Sequence, residues 1–173
     1  PIPEVRAGPW SKKALWTILI LSFVVRAVWM LFVNTMPVTD YWWYYERAVS
    51  IAGGHGYAVD GVPTAYWPVG YSGFLSAFFA VLKPTITLAK ILNLILVLSS
   101  LALSFRIAHR LFLSNAVAIV STVVLSLHFN WIAYSGILAS EPLYTFLTLW
   151  GTWLLMTTED VWGKTVIAGS SAS

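Results

Sequence analysis

The sequence contains no cysteine, and only 10% of its 173 residues are charged. The first absence excludes disulfides and thiolate metal sites. The second excludes a free soluble domain, which typically carries about 25% charged and about 45–50% apolar residues. Here 58% of residues are hydrophobic and 16% aromatic. Disorder is excluded on the same ground, since disordered chains are rich in charge and poor in apolar residues. Ten Lys and Arg against seven Asp and Glu leave a net charge of +3, small and scattered, so nucleic acid is not a partner. What is present in quantity is apolar surface. The class is an all-α integral membrane protein, and the length holds at most five or six spans of about 20 residues each.

The first apolar run covers residues 14–33 and follows Arg6, Lys12 and Lys13. Basic flanks of this kind stay cytoplasmic, which makes residues 1–13 a cytoplasmic tail and 14–173 a transmembrane module. Residues 34–85 gather Asp40, Glu46, Arg47 and Asp60 with many Gly, Pro and aromatic residues. They read as a long extracytoplasmic loop holding two juxtamembrane helices. The first spans 41–52, with Thr39 or Asp40 as its cap and Gly53-Gly54 as its stop. The second lies within 70–83 and is too short to cross a bilayer. Asp60-Gly61 between them signals a hairpin turn. Further spans are expected at 86–105, 116–133 and 142–157, with a cytoplasmic loop at 106–115 and a turn at 158–164. The run 165–173 begins a fifth span. The expectation is therefore four complete transmembrane helices plus the start of a fifth, in a multi-pass protein of a bacterial cytoplasmic membrane. The first residue is Pro and the last apolar run stops after nine residues, so both ends read as incomplete.

On this topology Asp40 and Glu141 approach one membrane face, with Arg47, Lys83 and Lys90 on the same side. Carboxylates and cations gathered there suit an anionic lipid headgroup, one group as general base and another on phosphate. Asp40 and Glu141 can equally serve as helix caps, and Lys83 and Lys90 as snorkelling anchors. Arg26, near mid-span, must pair or face a polar cavity; Asn93, His128 and Asn130 are its candidate partners. His55 stands alone, which is weak support for a metal site.

The order of motifs carries a resemblance. Asp40-x4-Tyr45-x2-Ala48-x4-Gly53-Gly54-His55-Gly56-Tyr57 is followed by Pro63-Thr64-Ala65-Tyr66-Trp67-Pro68-x-Gly70-Tyr71-x2-Phe74-Leu75. Then come Asn93 in an apolar helix, Arg110-Leu111-Phe112, Tyr134-Ser135 and Ser140-Glu141-Pro142-Leu143. From Arg26 onward this resembles the N-terminal part of bacterial polyprenyl-phosphate-dependent glycosyltransferases of the GT-C fold. Relatives of that family include protein O-mannosyltransferases and the aminoarabinose transferase of lipid A. The resemblance implies transfer of a sugar, with inversion, from a polyprenyl-phosphate donor to a glycan, lipid or protein acceptor outside the cytoplasm. It implies Asp40 as catalytic carboxylate and Glu141 in the same cavity. Arg47, Tyr57, Tyr66, Tyr71 and Lys83 are then the substrate-binding candidates. No metal ligand and no definite cofactor is assigned, a divalent cation remaining open.

Three positions depart from the family pattern. Tyr41 replaces a Glu common after the loop Asp, Trp43 replaces an Arg of the aminoarabinose branch, and Pro68-Val69-Gly70-Tyr71-Ser72 replaces Pro-Pro-Gly-Tyr-Pro. The family's phosphate clamp is therefore not carried over. The alternative reading is a non-catalytic, truncated relative that packs with other membrane subunits in a larger complex.

Overall fold

The computed structural model describes residues 9–33, 35 and 39–170, with side chains described between Lys12 and Thr158. The chain is mostly helical. In order it forms α1 (Pro9–Phe32), α2 (Asp40–Ala52), β1 (Ala58–Val59), β2 (Val62–Pro63), α3 (Val69–Phe79), α4 (Ile86–Phe112), α5 (Asn115–Leu127), α6 (Phe129–Ala133) and α7 (Glu141–Ser170).

Among the described residues two helices, Lys12–Phe32 and Ile86–Phe112, are long and apolar enough to cross a membrane. Together with the composition they point to a membrane protein. They also correct the expectation of four complete spans and the start of a fifth. The run at 116–133 is divided: α5 ends at Leu127, His128 takes an extended conformation (φ −63°, ψ 122°), and α6 has only 5 residues. A helix of 13 residues rises about 20 Å, short of a hydrocarbon core about 30 Å thick. The runs at 142–157 and 165–173 are not separate either. One continuous helix, α7, passes through the turn expected at 158–164. Its first turns interleave Thr145, Thr148, Trp150, Gly151 and Thr152 with leucines, so they fall short of the apolarity of α1 and α4.

The loop expected at 106–115 is largely helix as well. α4 continues to Phe112 and stops where Leu113 adopts φ 50°. Ser114 then caps α5 by accepting from the Val117 amide. In the last turn of α4, Arg110 donates to the Met156 carbonyl (2.7 Å) and lies over the Trp153 ring. α7 therefore runs alongside α4 in the same direction.

The two short helices form as a packed pair. α2 buries Tyr41, Tyr44 and Ala48, spaced three and four residues apart as one helical face requires. α3 buries Tyr71, Leu75 and Phe79 at intervals of four. These faces meet each other and Ala89, Leu92 and Leu138 in one apolar cluster. Ala48 and Leu75 are fully buried; burying Leu75 contributes about 1.5–3 kcal/mol. The cap at the start of α2 differs from expectation. Thr39 occupies the cap position without a side-chain hydrogen bond, and Asp40 is the first helical residue.

The other end of α2 follows its sequence closely. Gly54 (φ 82°) lets the Gly54 amide reach the Ile51 carbonyl and the His55 amide reach that of Ser50. This is a Schellman closure, which needs a left-handed residue after the helix. Asp60 (φ 51°) and Gly61 (φ 80°) then turn the two-stranded hairpin, with Ala58 opposite Pro63 and Val59 opposite Val62. Two successive positive φ values define the tight turn that Asp-Gly favours.

Candidate functional site

A polar cluster lies where the first turns of α4 meet α2, α3 and the 134–141 segment. Lys90 and Asn93 are three residues apart on α4, hence on one face. Asn93 is fully buried and fully paired. Its carbonyl oxygen accepts from the Tyr71 hydroxyl (2.7 Å), and its amide nitrogen donates to the carbonyls of Ile137 (2.7 Å) and Tyr134 (3.5 Å). Lys90 donates to the Thr35 hydroxyl (3.0 Å), which donates in turn to the Gly136 carbonyl (2.6 Å). The Tyr134 hydroxyl donates to Glu141 at 3.4 Å. Tyr41 completes the group: its side chain is buried beside Thr35, and its hydroxyl has no hydrogen-bond partner among the described residues.

Burial sets the electrostatics of these phenols. It pushes Tyr71 well above its usual value, with the hydrogen bond to Asn93 acting in the opposite sense. Tyr134 is raised by burial first and by the charge of Glu141 second. Tyr41 is likewise raised by burial, with the neighbouring Thr35 side chain acting in the opposite sense. All three stay protonated near neutrality and can donate hydrogen bonds. Lys90 has no carboxylate within ion-pair distance among the described residues. A half-buried ammonium held only by a hydroxyl is well placed to receive an anion.

The sequence candidates divide between this cluster and other roles. Tyr71 and Glu141 belong to it, Tyr71 buried and Glu141 exposed. Asp40 is half-buried at the start of α2, one residue before Tyr41; its carboxylate makes no hydrogen bond or ion pair among the described residues. Tyr57 is a brace. Its hydroxyl accepts from the Trp43 indole (2.9 Å) and donates to the Trp67 carbonyl (2.9 Å), fastening the hairpin to α2. Tyr66 is exposed, with its ring against Trp43 at 5.4 Å. Arg47 turns toward the hairpin, donating to the Ala58 carbonyl, touching Glu46 at 3.5 Å and lying over the Trp43 ring. Lys83 is exposed.

Arg26 does not find the side chains expected for it. Asn93 is taken by Tyr71, and His128 and Asn130 are exposed. Its guanidinium instead donates to the main-chain carbonyls of Ser22 (3.2 Å) and Ser126 (3.1 Å).

The members not anticipated as site residues are Thr35, Tyr41, Asn93 and Tyr134; Lys90 is expected on this face but not among the substrate-binding candidates. The Lys90-x2-Asn93 spacing within an apolar helix is the one signal in the sequence that points to them. No group of three or more His, Cys, Asp or Glu able to hold a metal ion occurs among the described residues.

A concave feature lies on another side of α2. It is a cleft of about 430 Å³ lined by Trp42, Tyr45, Glu46, Arg47, Ser50 and His55, among others.

Comparison of the chain with known protein families, with curated proteins and with solved structures finds no match.

Proposed function

We propose that the chain is the membrane-embedded N-terminal segment of a glycosyltransferase of the polyprenyl-phosphate-dependent type. In this reading it works in a bacterial cytoplasmic membrane, crosses it more than once, and keeps its N-terminus in the cytoplasm. The observation that carries the reading is the polar cluster. It holds a lysine without an ion-pair partner among the described residues, protonated phenols and a carboxylate bound by one of them, beside the helix that begins with Asp40. The ordered motifs supply the reaction class, and the cluster supplies groups suited to it.

In the proposed reaction an acceptor hydroxyl attacks the anomeric carbon of the donor sugar. The bond from that carbon to the phosphate oxygen breaks, and the lipid phosphate departs with the electron pair. Asp40 accepts the hydroxyl proton as general base. Lys90 neutralises the departing phosphate. Glu141, held by Tyr134, orients the acceptor. The test is an assay of the native full-length protein in membranes with a polyprenyl-phosphate sugar donor. Asp40→Asn lowers turnover by about 10²–10⁴-fold, the usual worth of a general base. Retained turnover at normal expression removes the catalytic assignment.

The second reading, a non-catalytic subunit in a larger membrane complex, draws on a different feature. α1 meets α4 across an apolar groove lined by Trp16, Leu19, Ile20, Phe23, Leu98 and Ala102, a surface another transmembrane helix would fill. The same assay discriminates. No turnover with any donor, together with co-purification of the chain in a stoichiometric membrane complex, favours the subunit.

A further inference from the structure

We infer that the cleft beside Trp42 binds a carbohydrate, independently of any transfer chemistry at the α4 cluster. The residues of α2 sort by side. Tyr41, Tyr44 and Ala48 face the core, whereas Trp42, Tyr45, Glu46 and Ser50 project from a different sector of the helix into the cleft. The volume, about 430 Å³, falls in the roughly 300–1,000 Å³ range of small-molecule sites.

The floor is a fixed aromatic platform. Trp42 stacks on Tyr45 at 5.7 Å with 29° between the rings. Tyr45 is locked from behind: Phe79 meets it edge-on at 5.7 Å, and its hydroxyl donates to the Pro84 carbonyl at 3.3 Å. Trp42, the outer ring, remains 42% exposed. A planar ring presented without the need to order a side chain is what the axial C–H face of a sugar packs against, and pre-ordering removes much of the entropy cost of binding.

The rim supplies hydrogen bonds of both kinds. Glu46, 42% exposed at its side chain, offers carboxylate oxygens to sugar hydroxyls. His55 is exposed, and its imidazole rests over Gly53, where an added Cβ would stand 2.9 Å from Nδ1. Ser50 donates to the Gly56 carbonyl at 2.8 Å, which fixes the glycine turn and leaves its lone pairs to accept. The Schellman closure holds the same turn. An aromatic plate bordered by a carboxylate, an imidazole and a hydroxyl is the composition that recognises a polyhydroxylated ring. It is a poor composition for acyl chains, because the exposed Glu46 carboxylate would have to leave water.

The experiment uses the full chain in detergent micelles on an array of bacterial oligosaccharides. Saturation-transfer NMR then follows any glycan retained. At least one glycan is expected to bind. Trp42→Ala weakens it at least tenfold and Glu46→Gln several-fold, while Leu111→Ala, at the far end of α4, leaves it unchanged. Gly53→Ala, which displaces His55 at a residue with ordinary φ (−80°), also weakens binding without altering helical content. A silent array overturns the proposal, as does glycan binding indifferent to Trp42→Ala and Glu46→Gln. A third overturning result is Trp42→Ala reducing attachment to phosphatidylglycerol vesicles while glycan retention stays unchanged; that would make Trp42 a membrane anchor.

Discussion

Arg26 of α1 donates to the main-chain carbonyl of Ser126 in α5, 3.1 Å away and 100 residues further along the chain. The pairing follows from where α5 stops. The last four carbonyls of a helix have no intrahelical donor, and α5 ends at Leu127. Ser126 therefore presents an open acceptor at the negative end of a helix dipole, inside the apolar layer. A guanidinium is suited to it because its forked donors also reach Ser22 on its own helix. The break that shortens α5 is what gives the buried arginine its partner.

Replacing this residue tests the clasp. Arg26→Met keeps the volume but leaves the Ser126 carbonyl unpaired, a loss of about 1–3 kcal/mol. Arg26→Lys keeps one donor and loses less. Thermal unfolding in detergent micelles measures both. A methionine variant as stable as the parent shows instead that desolvating the guanidinium costs as much as the clasp contributes.

Tyr71 and Asn93 form a coupled pair that joins α3 to α4. Tyr71→Phe orphans one acceptor and costs about 1–2 kcal/mol; Asn93→Leu also strands the carbonyls of Ile137 and Tyr134 and costs about 2–4 kcal/mol. The double variant should be more stable than the sum of the single losses predicts, by about 0.5–3 kcal/mol. Strict additivity in a double-mutant cycle would show that the two side chains do not act together.

Alkaline pH probes the same phenol. Burial raises Tyr71 above its ordinary value, so the folded state keeps a proton that the unfolded state releases near pH 10. The stability it contributes is complete below about pH 10 and declines as pH rises further, by up to about 1.4 kcal/mol per pH unit. Tyr134 acts with the same sign. The stability gap between the parent and Tyr71→Phe should therefore narrow above pH 10. A gap that widens there would contradict a buried, protonated Tyr71.

Membrane crossing by α4 is testable with single cysteines, since the chain has none of its own. Asp60→Cys and Leu113→Cys flank α4 on its two sides in sequence. An impermeant maleimide applied to intact cells should label the first directly and the second only after permeabilisation. Labelling of both from one side would show that α4 does not cross.

Local features are legible in the sequence alone. The low charge and long apolar runs indicate a membrane protein, Gly53-Gly54 ends α2, and Asp60-Gly61 turns the hairpin. Each depends on composition or on a few consecutive φ and ψ values, which a short stretch of sequence encodes. Of the residues singled out by their motifs, Tyr71 and Glu141 lie in the polar cluster, whereas Tyr57 and Arg47 are occupied in bracing the hairpin.

The tertiary structure decided the rest. Apolar runs of similar appearance at 86–105 and 116–133 became one long helix and one interrupted helix. Their apolar content does not distinguish them; the extended backbone at His128 ends α5, and Arg26 meets the Ser126 carbonyl left open there. Lys90 reads as an anchor in sequence, and it joins the polar cluster only because Thr35 is folded against it. Sequence by itself determined the solvent this protein needs and where its chain turns, since both are sums over neighbouring residues. Which polar groups meet inside it was decided by packing, since hydrogen bonds between residues 22 to 101 positions apart leave no periodicity in the chain.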